Sequence, residues 1–142
     1  MRNSRGFTLI ELVVVIAIVG ILATIAIPTF MDQIRKTRRT DAMQTLSDLQ
    51  LKQERWRASH ATYTGTLSDI GGVTPTPSGY YTIAVSTPAD AGGCTCTSAT
   101  CYAFTATAAG SQASDGQCAT MVLSVRCGTV TKTSTPSGNT CW

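Results

Sequence analysis

The residues best equipped for chemistry are six cysteines, which all lie in the C-terminal third of the 142-residue chain: Cys94, Cys96, Cys101, Cys118, Cys127 and Cys141. An even number of cysteines forms disulfides in an oxidising compartment, whereas thiolates hold metal ions in a reducing one. A zinc site is poorly supported, because the spacing of the first three does not match a zinc knuckle and His60 is the sole histidine. The cysteines therefore predict disulfides, provided that the chain is exported.

Catalytic chemistry has little support. One histidine, aspartates scattered through loop-like segments and no nucleophile motif do not make a set of groups for acid–base or nucleophilic catalysis. We therefore expect a protein that is not an enzyme, with no catalytic residue, no bound metal and no cofactor. His60 is expected on the surface at the end of a helix.

Glu11 is the one charged residue in an apolar segment, Phe7–Ile27, which as a helix of about 32 Å is long enough to cross a membrane. A carboxylate inside a span costs about 2.5–3.5 kcal/mol and usually has a partner, yet no Lys or Arg lies between Phe7 and Ile34. A free amino group at Phe7, made by cleavage after Gly6, would supply one. A conventional secretory signal fits poorly, because the segment is too long and no small-x-small site follows it.

The segment Gly6-Phe7-Thr8-Leu9-Ile10-Glu11 resembles the processing signature of the type IV pilins and of their type II secretion pseudopilin relatives. The resemblance implies that prepilin peptidase cuts between Gly6 and Phe7, that Phe7 is then N-methylated, and that Glu11 is needed for assembly. The implied partners are other pilin subunits in a homo-oligomeric helical filament and the pilus assembly machinery. The chain would reside in the inner membrane before assembly and then in an extracellular pilus.

One long helix is predicted from about Thr8 to about Ala58. Its second part carries an apolar stripe at helical spacing, with one polar interruption; the stripe consists of Ala42, Leu46, Leu49 and Trp56, and Gln53 interrupts it. Pro28 is expected to kink the helix, and Gly20 lowers its helix propensity. The resemblance implies that helicity between these two residues can be lost in an assembled filament.

The rest of the chain predicts a loop over residues 59–79 and four strands at residues 80–86, 102–108, 119–126 and 129–133. An antiparallel meander packed on the lower half of the helix gives an α+β fold. The expected organisation is a leader (1–6), a membrane and filament-core helix (7–34) and a head (35–142). Within the head, the helix continues over 35–58, and the sheet and disulfide loop occupy 80–142.

The segments GYYTIAV and GSQASDGQC and the terminal CW are similar to a type IVa subgroup that includes minor pilins and receptors for DNA uptake sequences. This resemblance implies a Cys118–Cys141 disulfide. For the remaining cysteines, pairing of the second and third strands would bring Cys101 near Cys127, but it would leave a strained bond between Cys94 and Cys96. Cys94–Cys101 with Cys96–Cys127 is slightly preferred, and both pairings stay open.

The cations are unevenly distributed. Four of them directly follow the apolar segment (Arg35, Lys36, Arg38 and Arg39), and we interpret them as a solvated helix face or a contact with lipid head groups. From His60 onward, two cations, Arg126 and Lys132, stand against three aspartates, a net charge of −1. This balance argues against DNA binding, because phosphate contacts need cations.

Three functions remain. The preferred one is a structural subunit of a type IV pilus used for adhesion, twitching motility or DNA uptake. The second is a minor pilin that binds DNA for natural transformation, which the charge of the C-terminal part opposes. The third is a type II secretion pseudopilin, which rarely needs a head with six cysteines.

Overall fold

The computed structural model describes residues 7–90, 92–138 and 141–142, and the predicted cleavage residue Gly6 lies outside them. The chain forms one long helix and four strands, in the order α1 (Leu9–Ser59), β1 (Tyr81–Ser86), β2 (Cys101–Ala108), β3 (Thr120–Arg126) and β4 (Thr129–Thr135). Two short 3₁₀ helices occupy Leu67–Ile70 and Gly110–Ser114. The chain divides into two compact units that meet between Ile34 and Arg35. We call the described part of the first unit, residues 7–34, the stem, and Arg35–Trp142 the head.

The stem is helical from Leu9 onward and exposes its large apolar side chains along its whole length, from Phe7 to Met31. The hydroxyl groups of Thr24 and Thr29 donate back to helix carbonyls at 2.7 and 3.1 Å, so neither adds an unpaired polar group to the apolar surface. Among the described residues, α1 is the one helix that is long and apolar enough to cross a membrane.

The helix assignment is continuous through Gly20 and Pro28. The kink expected at Pro28, and the loss of helicity expected between these two residues in a filament, stay predictions. The boundaries of α1 agree with the predicted range to within one residue at each end.

The head contains an antiparallel sheet in which each strand pairs with the next along the chain, in the order β1-β2-β3-β4. In register, Tyr81 pairs with Ala108, Tyr102 with Val125, and Val125 with Val130. Alternating side chains of β2 and β3 point to opposite faces, and one face is apolar and buried. The predicted α+β fold with a four-stranded antiparallel sheet is confirmed.

The core of the head lies between this sheet face and the stripe on α1. Ala42, Leu46 and Leu49 are buried in one cluster with apolar side chains from each of the first three strands. Trp56 is partly buried against this cluster. Gln53 is fully buried and its side-chain Nε2 donates to the carbonyl of Thr64 at 2.8 Å. The polar residue in the stripe therefore secures the segment that follows the helix, which explains the interruption.

Three disulfide bonds cross-link the head. The bond between Cys118 and Cys141, which the family resemblance implies, ties the start of β3 to the C-terminus. The other two bonds join Cys94 to Cys127 and Cys96 to Cys101. Both pairings considered for these four cysteines were therefore wrong, and the three thiols weighed as zinc ligands are all engaged in disulfides.

Two local turns explain this connectivity. Residues Thr97–Thr100 form a turn in which the amides of Thr100 and Cys101 both donate to the carbonyl of Thr97, which folds Cys96 back onto Cys101. The register partner of Cys101 is Arg126, so Cys127 lies one residue beyond the strand pair, in the turn to β4. Neither turn is visible in the spacing of the cysteines.

Candidate functional site

The N-terminal end of α1 carries a reciprocal cap made by Thr8 and Glu11. The backbone N–H and the hydroxyl of Thr8 both donate to Oε2 of Glu11 at 2.9 Å, and the N–H of Glu11 donates to the hydroxyl of Thr8 at 3.4 Å. This arrangement is a capping box, which satisfies N–H groups that have no carbonyl partner within the helix. Sequence reasoning missed Thr8 as a partner of Glu11, although Thr-x-x-Glu before an apolar run is the signature of such a cap.

The surroundings of this cap are apolar. Phe7, Ile10, Val14 and Val15 line a shallow cleft of about 300 Å³ together with Glu11. Phe7 is 93% exposed and Ile10 is 65% exposed. A second helix that packs on this surface therefore meets apolar side chains and one carboxylate.

The head has two ends that differ in chemistry, and each is defined here by the sheet register. At the first, the Asp115 end, β1 begins and β2 finishes, since Tyr81 pairs with Ala108. At the second, the Cys101 end, β2 begins and β3 finishes, since Cys101 pairs with Arg126.

A buried ion pair occupies the Asp115 end. Nε and Nη2 of Arg39 donate to the two carboxylate oxygens of Asp115 at 2.6 Å each, and Nε2 of Gln112 donates to Asp115 at 2.8 Å. Gln112 also donates to the hydroxyl of Tyr81 at 3.2 Å. Burial by itself would raise the pKa of Asp115, but the hydrogen bonds from Arg39 and from the backbone N–H of Gln117 outweigh it and hold that pKa below its ordinary value.

This ion pair corrects the interpretation of the cations that follow the apolar segment as a solvated face. Arg39 is only 6% exposed. Arg35 and Arg38 donate to the hydroxyls of Ser114 and Ser111 at 3.4 and 3.0 Å, and the guanidinium of Arg38 lies 3.9 Å from the centre of the Tyr80 ring. Three of the four cations therefore hold the Gly110–Ser114 segment and Tyr80 on the helix.

At the Cys101 end, aromatic rings cluster around Glu54. The hydroxyl of Tyr102 donates to Glu54 at 2.8 Å, that of Tyr63 donates to the same carboxylate at 3.4 Å, and the two rings are 4.6 Å apart. Burial, followed by the neighbouring Glu54 carboxylate, raises the pKa of Tyr102 far above its ordinary value. Tyr102 is thus a core residue, and it fixes the end of the helix to the sheet.

Next to this cluster lies a pair of stacked rings, of which Trp56 is partly buried and His60 is exposed. The rings of Trp56 and His60 are parallel, with centres 3.7 Å apart, and His60 is exposed at the end of α1, in the position expected for it. Arg57 donates to the carbonyl of His60 at 2.7 Å and lies 5.7 Å from the Tyr63 ring centre. Arg55 is exposed on the same helical turn.

The loops bring Arg126 to this same end. The N–H of Tyr63 donates to the carbonyl of Ser98 at 2.7 Å, and the N–H of Cys127 donates to that of Thr100 at 2.9 Å. The end of the helix, the turn before β2 and the turn after β3 are therefore neighbours. Lys132 lies apart from them on β4, with its ammonium 5.0 Å from the centre of the Trp142 ring.

Comparison with known proteins gives two family matches. A sequence model of the family described as "Type IV minor pilin ComP, DNA uptake sequence receptor" matches residues 28–122. A model of the prokaryotic N-terminal methylation motif matches residues 1–27. The two matches adjoin each other and together span the stem and most of the head.

Individual relatives are similar over half of the chain or less. The chain is 43% identical over 77 residues to a fimbrial protein of Pseudomonas aeruginosa, covering 50% of each chain. It is 39% identical over 69 residues to the type IV major pilin protein PilA of Myxococcus xanthus, covering 49% of this chain and 31% of that one. It is 41% identical over 64 residues to the type IV wide pilus major component PilA4 of Thermus thermophilus, covering 45% and 49%. These matches span half or less of the relatives' length.

Proposed function

The chain belongs to the type IV pilins, a structural and non-enzymatic family, and within them to the family described as type IV minor pilin ComP, DNA uptake sequence receptor; we propose that it is a minor pilin that binds DNA for uptake. The observation that carries the proposal is the match of that family's model to residues 28–122. The matched range contains the head part of α1, the strands β1 and β2, and the beginning of β3.

The charge of the whole head supports this proposal. The net charge of −1 that argued against DNA binding was counted from His60 and left out the helix. Counted from Arg35, the head has nine Lys and Arg residues and six Asp and Glu residues, a net charge of +3. Phosphate contacts need such cations.

The Cys101 end is the part of the head best suited to DNA. Three arginines come to it from two elements, Arg55 and Arg57 from α1 and Arg126 from β3. The partly exposed Trp56–His60 stack adds aromatic surface of the kind on which unpaired bases stack. By contrast, Arg35, Arg38 and Arg39 at the other end contact the head's own side chains.

The stem supports a place in a filament. We propose that the mature chain begins at N-methylated Phe7, resides in the inner membrane and then joins an extracellular pilus through its stem. The exposed apolar surface from Phe7 to Met31 suits both bilayer and neighbouring stems. In the filament, Glu11 pairs with the amino group at Phe7 of a neighbouring subunit.

The test is DNA binding by the full-length chain in non-ionic detergent micelles, measured by fluorescence anisotropy over a range of salt concentrations. We expect binding that weakens as salt rises, with a slope of log K against log salt of about −0.9 per phosphate contact. The double variant Arg55→Gln/Arg57→Gln should bind more weakly and with a shallower slope. Its matched control, Arg35→Gln/Lys36→Gln, removes the same charge from the other end and should change binding little. A wild-type chain that does not bind DNA contradicts the proposed function.

A further inference from the structure

A cleft of about 300 Å³ opens at the Cys101 end beside the turn between β3 and β4. Its lining residues are Gly92, Cys94, Arg126, Cys127, Thr129 and Thr131. Arg126 is the one ionisable side chain in this lining, because both cysteines are in a disulfide. We call this feature the Arg126 cleft.

A disulfide and a tight turn build the cleft. The turn consists of Cys127 and Gly128, which both have left-handed backbone conformations, with φ of 45° and 82°. Such a two-residue turn matches the twist of the strands that it joins. The Cys94–Cys127 bond then holds the segment around Gly92 against the turn.

The strand register places Arg126 and two hydroxyl groups on one face. Arg126 pairs with Thr129, and Ser124 pairs with Thr131. Leu123 and Val125, which alternate with Ser124 and Arg126 along β3, face the core. Because alternate residues of a strand point to the same face, the guanidinium of Arg126 shares the outer face with the hydroxyls of Thr129 and Thr131. These groups are hydrogen-bond donors suited to an oxyanion.

The guanidinium of Arg126 has an unsatisfied donor. Its Nε is buried, and within the described ranges no acceptor lies within hydrogen-bonding distance of that atom. A buried polar group without a partner is unfavourable, above all when it is charged. No carboxylate lines the cleft.

The buried guanidinium of Arg39 has different surroundings. Arg39 has both a bidentate carboxylate and an additional acceptor, Oε1 of Gln117 at 3.2 Å. The charge of Arg39 is thus neutralised by Asp115 within the head, whereas Arg126 lines an open cleft. Because the fork of a guanidinium matches two oxygens of a phosphate, an anion of that kind is the expected occupant.

We propose that the Arg126 cleft binds one phosphate group of the DNA backbone. Arg126 supplies the charge and the fork of N–H donors, and Thr129 and Thr131 supply hydroxyl donors. This assignment rests on the proposed DNA-binding function and names a contact that positions the DNA at the Cys101 end. A phosphate contact carries no base specificity, so it acts on every DNA sequence alike.

The first experiment compares Arg126→Gln with Arg38→Gln in the full-length chain in detergent micelles. Both changes remove one guanidinium, but Arg38 lies over Tyr80 at the other end. We expect Arg126→Gln to weaken DNA binding roughly tenfold or more, as the loss of a charged hydrogen bond does, and to make the salt slope shallower by about 1. Arg38→Gln should stay within about twofold of the wild type, because Arg38 contacts Ser111 and Tyr80 at the other end of the head. Arg126→Lys should fall between, because it keeps the charge and loses the fork.

A second measurement needs no variant. In the isotope-labelled wild-type chain, the Nε–H resonance of Arg126 should shift when inorganic phosphate is added, and the Nε–H of Arg39 should not. An unmoved Arg126 resonance overturns the cleft assignment, and so does equal weakening by Arg126→Gln and Arg38→Gln. In either case DNA binding by the wild type leaves the proposed function standing. Absence of DNA binding by the wild type overturns both.

Discussion

The stem and the head use similar apolar side chains in opposite ways. Leu9 and Ile25 of the stem are 80% and 68% exposed, whereas Leu46, Phe104 and Leu123 of the head have no exposed surface. The head closes its own core with the sheet, the helix stripe and three disulfides. The described stem is a single helix with exposed apolar side chains, as the proposed contacts with a bilayer or with other subunits require. The comparison teaches that the head buries its apolar side chains within its own fold, whereas the stem leaves its apolar side chains exposed.

The carboxylates of the two regions show the same contrast. Asp115 in the head receives hydrogen bonds from Arg39, Gln112 and Gln117, including a bidentate pair with a cation. Glu11 in the stem receives hydrogen bonds from Thr8 alone among the described residues, and these donors are uncharged. The charge of Asp115 is neutralised within the chain, whereas Glu11 has no cationic partner among the described residues, as the proposed pairing with a second chain requires.

The largest expected effect comes from removing the charge in the stem. Glu11→Val should leave the chain inserted and cleaved but reduce filament yield to little or nothing, because the ammonium of a neighbouring Phe7 then lies unpaired among apolar stems. The measurement is the amount of subunit in filaments sheared from producing cells. Leu12→Val, an apolar change at the next residue, is the control and should assemble. Normal filament yield from Glu11→Val contradicts the assembly role.

The next effect concerns the head core. Phe104→Ala should lower the free energy of unfolding of the head by about 3–5 kcal/mol, because it leaves a cavity in a closed core. Both tryptophans, Trp56 and Trp142, lie in the head, so denaturant unfolding followed by their fluorescence reports on it. Leu22→Ala in the stem should change that free energy by less than about 0.5 kcal/mol. Comparable losses from both changes would show that the stem and the head do not fold independently.

A smaller effect is expected from the buried ion pair. Asp115→Asn should lower the free energy of unfolding of the head by about 3 kcal/mol, because it leaves the Arg39 charge buried without a counterion. Asp48→Asn is the control, because it breaks the exposed Lys52–Asp48 pair on the same helix and should cost about 0.3–0.5 kcal/mol. Urea denaturation at neutral pH measures the free energy of unfolding of both variants. Equal losses would show that burial of the Arg39–Asp115 pair adds nothing to stability.

The same pair makes stability depend on pH. The pKa of Asp115 is lowered in the folded head, so its contribution is fully present above the ordinary Asp pKa of about 4 and is lost as the pH falls toward the lower folded value. The wild type should therefore lose stability below about pH 4 more steeply than Asp115→Asn. If the free energy of unfolding fell equally steeply with pH in the wild type and in Asp115→Asn, Asp115 would not be the source of the acid sensitivity.

The sequence by itself determined the features that depend on neighbouring residues. The helical period from Ala42 to Trp56, the apolar run after Phe7 and the alternation in the strands arise from local geometry, and the structure agrees with the helix and strand ranges to within two residues. The processing signature was identified by its resemblance to a family. The capping box of Thr8 and Glu11 belongs to the same class, because its signal lies within four residues and was overlooked rather than hidden.

The tertiary structure alone decided which distant groups meet. Arg39 lies three residues before Ala42, so the helical period places it on the buried stripe. Its partner Asp115 is 76 positions away, and nothing in the sequence identifies it. The disulfides of Cys94 and Cys96 depend on two turns. The turn at Thr97–Thr100 folds Cys96 back onto Cys101, and the turn between β3 and β4 holds Cys127, the partner of Cys94, one residue beyond the strand pair. The Arg126 cleft likewise needs the sheet register and the Cys94–Cys127 bond. Periodicity constrains which face a residue occupies, whereas the register of strands and the geometry of turns determine what it faces.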